Sequence, residues 1–184
     1  MLIWFIVACA LSFLIGFLVK SVDWLSDSAK NKAVFLQCVA GAAYGFGIGV
    51  FVLLWKEVFA LALGVIIALL FSKKIDSFGH YFGAAGIILA VVLLYSLLGL
   101  FEISVFSLGF ALCFALAAIL DERLSDMADK NKIKNFARFF QLRPVLEITA
   151  FSIALIFSQP LIWLTIFFFD LGYNVSAIVF GEKK

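Results

Sequence analysis

The sequence predicts an all-α integral membrane protein of about seven transmembrane helices, and three observations carry that expectation. Hydrophobic residues make up 65% of the 184 and charged residues only 14%, against roughly 45–50% and about 25% in soluble domains. The apolar residues gather into seven runs, at 2–19, 33–55, 58–72, 82–100, 103–120, 145–158 and 161 onward. When these runs are threaded alternately across a bilayer, thirteen of the fourteen Lys and Arg residues share one side and Lys56 stands alone on the other.

The first run has no basic segment before it and no small-residue cleavage site before Lys20, so it reads as a retained helix rather than a signal peptide. The third and sixth runs are short for about 30 Å at 1.5 Å per residue and call for tilt or longer flanks. The seventh either stops at Phe169 or continues to Phe180, which places Asp170 at membrane depth. Each span uses about 20 residues, which leaves one transmembrane domain over 1–184 and no room for a soluble one. Basic residues in short loops stay cytoplasmic. The expected location is therefore the plasma membrane, with the amino terminus outside and the carboxyl terminus inside.

Two polar stretches divide the apolar chain. Residues 120–144, LDERLSDMADKNKIKNFARFFQLRP, hold ten charged side chains, and residues 22–37, VDWLSDSAKNKAVFLQ, share their order of Asp, Leu-Ser-Asp-x-Ala, Asn-Lys and Ala-x-Phe-x-Gln. Four spans lie between them, so both copies have one orientation. The reading is a parallel duplication: repeat 1 at about 1–81, a linker helix at about 82–100, and repeat 2 at about 101–184. Asp76 with His80 in KIDSFGH and Asp170 with Asn174 in FFDLGYN form a second echo. This 3+1+3 layout resembles, in topology alone, the sugar-transporting proteins built from two three-helix units around a linker helix. The proline-glutamine signature of that family is missing, since the only prolines are Pro144 and Pro160.

Helices in lipid associate through close packing of small residues. Gly41, Gly45 and Gly49 recur at every fourth position, as do Ala60, Gly64 and Ala68, and again Gly109, Cys113 and Ala117. The turn at Lys56-Glu57 suggests that spans two and three form the close hairpin. Trp4, Trp24, Trp55 and Trp163 lie near span ends, where indole suits the headgroup region. The three cysteines fall in apolar runs without metal or redox spacing.

Candidate chemistry rests on the acidic residues of the cytoplasmic side. Asp23 and Asp27 share a helical face, and Asp121 and Asp126 are their counterparts in the second copy, with Glu122 in better helical phase than Asp121. Such carboxylates suit a hard cation, Mg²⁺ or Mn²⁺, while Lys30, Lys32 or Arg123 would neutralise a phosphorylated headgroup. The membrane prenyltransferases use two Asp-rich motifs in a similar way, although neither full motif occurs here. A metal-dependent enzyme acting on a lipid or isoprenoid phosphate is the first functional expectation. The second is a small solute or ion transporter with Asp76, His80, Asp170 and Asn174 near its cytoplasmic gate; His80 is the only histidine, and imidazole suits a proton relay. The third is a non-catalytic assembly factor whose segment from Lys130 to Arg143 meets anionic lipid. The bilayer is the expected partner, and nucleic acid is not.

Overall fold

The computed structural model describes residues 2–28, 33–72, 75, 77–98, 105–129 and 144–181, and among them all regular structure is helical. Seven helices follow in order: α1 (Leu2–Ser28), α2 (Val34–Leu54), α3 (Lys56–Phe71), α4 (Phe78–Leu98), α5 (Val105–Asp129), α6 (Pro144–Ile156) and α7 (Pro160–Val179). An apolar chain without water must satisfy each backbone N–H and C=O internally, and the helix does so within one segment. Among the described residues three helices are long and apolar enough to cross a membrane: α1, α2 and α7. Ile3, Phe35 and Ile178 stand about three-quarters exposed, at 76, 78 and 76%.

Helix boundaries differ from the apolar runs where polar residues continue the helical period. α1 runs past Lys20 to Ser28 and carries Asp23 and Asp27 within it, and α5 runs past Asp121 to Asp129. α4 begins at Phe78, which brings His80 into its first turn. α7 takes the longer of its two expected courses, so Asp170 is helical. α3 and α6 are short, at 16 and 13 residues.

The helices cluster into two compact units. The first comprises residues 1–56, 75–102 and 164–184, which are α1, α2, α4 and most of α7. Here α2 and α4 run parallel in close contact: Gly41 meets Gly79, Gly45 meets Gly83, and Gly49 meets Ile87 and Ala90. A Cβ on Gly45 would fall on the carbonyl of Gly83, so a larger residue forces the two backbones apart. The expected partner of this stripe was span three, and its observed partner is α4. The glycine stripe is a packing face as expected, but the face belongs to α4.

α1 and α7 also run parallel. Gly16 packs on the backbone of Phe169 and Gly172 on that of Phe13, while the buried Ser12 hydroxyl donates to the Thr165 carbonyl at 2.6 Å. α1 and α2 are antiparallel, held at one end by Gln37 Nε2, which donates to the Leu25 carbonyl at 3.0 Å, and at the other by Trp4 against Trp55 at 6.0 Å.

The second unit comprises residues 57–74 and 103–163, which are α3, α5, α6 and the start of α7. Gly64 of α3 faces Ala111 and Phe114 of α5, and Phe114 is fully buried. The third small-residue stripe is buried only at Ala117, which is 4% exposed. Among the described residues nothing lies within 4 Å of a Cβ built on Gly109, and Cys113 is exposed. Nearer the start of α5 the buried face is offset from the stripe, at Ala111, Phe114 and Ala115. α6 ends with Ser158 in the left-handed region, at φ 55°, as Gln159 N–H donates to the Ala154 carbonyl at 2.9 Å. Pro160, which needs no N–H partner, then opens α7.

Candidate functional site

The first unit gathers its polar side chains at one end, where α1 finishes, α2 and α4 begin and α7 finishes. Lys20 and Asp23 lie three residues apart on α1 and so share a face. Asp23 Oδ1 lies 3.0 Å from His80 Nε2, and Asp23 Oδ2 accepts from the Tyr173 hydroxyl at 2.9 Å. His80 Nδ1 lies 2.9 Å from the Tyr44 hydroxyl. Tyr44, His80, Asp23 and Tyr173 thus form one hydrogen-bonded chain across α2, α4, α1 and α7. The Lys20 ammonium sits 5.2 Å from the centre of the Tyr173 ring, a cation–π contact.

Local packing explains how these groups meet. Tyr44 starts farther along α2 than His80 does along α4, so its ring must lie back against α4. Gly83 provides that space, since a Cβ there would occupy the position of the Tyr44 hydroxyl. Gly79 likewise admits Val22 and Gln37 beside the first turn of α4. On the α7 side, Ser21 and Ser176 approach to 3.3 Å and Trp24 stacks on Phe180 at 4.5 Å, holding the end of α1 where Tyr173 reaches Asp23. Tyr44 is 7% exposed. The side chains of His80 and Asp23 are 17 and 27% exposed, so the chain of groups is sealed at Tyr44 and open near Asp23.

Asp121, the counterpart of Asp23 in sequence, has another task. It is 1% exposed, and its two oxygens accept from the backbone N–H groups of Val145 and Leu146 at 2.9 and 2.6 Å. The first N–H groups of a helix have no partner inside it. Pro144 lacks one, and Asp121 satisfies the next two from a different helix, where negative charge also suits the helix dipole.

Among the other candidates, Asp27 is exposed on α1, and Arg123 and Asp126 are exposed on α5. Asn174 Nδ2 donates to the backbone carbonyl of Asp170 at 2.8 Å, one turn before it. Asp76, Lys30, Lys32 and the segment from Lys130 to Arg143 lie outside the described residues. Among the described residues, no three His, Cys, Asp or Glu side chains are grouped as a metal site would require.

Sequence reasoning singled out Asp23 and His80 separately and missed Tyr44 and Tyr173. A usable signal existed: a tyrosine inside an apolar run needs a partner for its hydroxyl when buried. No family model matches the chain, and neither a curated protein nor a solved structure is significantly similar to it.

Proposed function

We propose that the chain is a seven-span membrane protein that couples movement of a small solute or ion to protons, with Asp23 and His80 as the proton-handling pair. The observation that carries this reading is the 3.0 Å contact between Asp23 and His80, hydrogen-bonded at its two ends to tyrosines and only partly open to solvent. Ionisable groups within a membrane bundle are costly, pair with one another and mark ion or proton pathways.

Helix directions support the seven-span count. α2 and α4 are parallel, which requires one crossing between them, and α3 is available for it. α7 is parallel to α1 and so antiparallel to α4, which requires an even number of crossings, met by α5 and α6. With basic loops cytoplasmic, the pair lies at the cytoplasmic end of its helices. Such a position suits a gate better than the mid-bilayer solute site common in transporters. The plasma-membrane location, the terminal orientation and the 3+1+3 duplication belong to the same proposal.

The metal-dependent lipid-phosphate enzyme has less support. Asp121 already has both oxygens on backbone donors, and Asp23 has both on His80 and Tyr173.

The test is proton flux into proteoliposomes carrying an internal pH dye, under an imposed membrane potential and with a panel of sugars, amines and phosphate outside. The parent should exceed protein-free vesicles with at least one of these additions. Asp23→Asn and His80→Gln should abolish the excess, while Arg123→Gln retains it. A parent that matches empty vesicles throughout, or variants that match the parent, would overturn the reading.

A further inference from the structure

The hydrogen-bond chain has a direction, which follows from counting donors and acceptors. An ionised Asp23 can only accept, so Tyr173 donates to Oδ2 and His80 Nε2–H donates to Oδ1. His80 Nδ1 then faces the Tyr44 hydroxyl. Tyr44 is buried, and among the described residues His80 Nδ1 is its hydrogen-bond partner. A buried hydroxyl proton with one acceptor in reach points at that acceptor. Nδ1 therefore carries the lone pair and Nε2 the hydrogen.

Resting on the reading of Asp23 and His80 as the functional pair, we propose that Tyr44 is a positioning residue that fixes the tautomer of His80 and couples its protonation to the α2–α4 contact. When His80 takes up a proton at Nδ1, both ring nitrogens become donors, and the Tyr44 oxygen must change from donor to acceptor. Its own proton must then turn away from the ring. The space it turns in is bounded by Gly83, whose Cα has no side chain to yield. A proton at His80 is thus felt at the glycine seam, the place where α2 and α4 are in closest contact. Among the described residues, the charged and titratable groups facing His80 are Asp23 with Lys20 behind it on α1, Tyr44 on α2 and, through Asp23, Tyr173 on α7.

His80 is the only histidine in the chain, so ¹⁵N-histidine labelling reports this residue alone. At a pH where the ring is neutral, the parent should show hydrogen on Nε2 and a bare Nδ1. Tyr44→Phe should release the lock and give a mixture of tautomers. A polar contact that serves packing alone would leave the tautomer of the neutral ring unchanged.

Hydrogen on Nδ1 in the neutral parent overturns the proposal without any variant, which keeps it testable if Tyr44→Phe does not fold. An unchanged single tautomer in a folded Tyr44→Phe overturns it as well. A locked tautomer in a protein that moves no protons supports the lock and removes the transport reading instead.

Discussion

Asp23 and Asp121 occupy matching places in two similar polar stretches, yet the structure uses them in different ways. Asp121 is sealed in the second unit and satisfies two backbone N–H groups, which cannot titrate and need one partner each. Asp23 lies partly open in the first unit and meets a histidine and a tyrosine, whose hydrogens can move. The same carboxylate therefore serves folding in one place and, on the reading proposed above, proton chemistry in the other. Identity in sequence fixes the charge, and the groups that fold against it decide its use.

The comparison can be broken most severely at the seams that hold each unit. Gly45→Leu should cost several kcal/mol, of the order of 3 or more, because its side chain meets α4 backbone that cannot repack. The same change at Gly109, where no described residue lies within 4 Å of an added Cβ, should cost less than about 0.5 kcal/mol. Thermal unfolding in detergent checks both, and equal losses at the two positions would show that the packed faces are misassigned.

A smaller effect separates the aspartates themselves. Asp121→Ala leaves two buried N–H groups unmet and should lower stability by about 2–4 kcal/mol. Asp23→Ala leaves partners that reach solvent and should lower it by about 1 kcal/mol. Comparing the two in the same melting assay sharpens the contrast, and a reversed order would end it.

The smallest change is a gain. Ser158 holds a left-handed backbone at the end of α6, so Ser158→Gly should stabilise by up to about 1 kcal/mol, seen as a modest rise in melting temperature.

Much of the fold was legible because composition and helical period act locally. The apolar runs located the helices, Asp23 stood out as an ionisable group at the edge of a run, and His80 stood out as the only histidine. Partnership was not legible. Gly41, Gly45 and Gly49 mark a face at which a backbone must approach, but any helix with small residues can meet that demand, and α4 does so although α3 precedes it in sequence. Likewise, His80 found its carboxylate 57 positions away and its hydroxyl 36 positions away. No spacing rule reaches that far. The capping role of Asp121 was hidden for the same reason, since it depends on a helix that begins 23 residues later.

The parallel contact of α1 with α7 has a consequence for biogenesis. About 150 residues separate Ser12 from Thr165 and Asp23 from Tyr173, so at 5–20 residues per second α1 leaves the ribosome roughly 8–30 s before its partner exists. The nascent α1 must wait in the membrane with its hydroxyls and its carboxyl group unanswered. Ser12 and Ser21 can turn back on their own helix, as the Ser21 hydroxyl does toward the Phe17 carbonyl at 2.7 Å. Asp23 has no such recourse, and its place near the end of the helix lets headgroup water solvate it until α7 arrives.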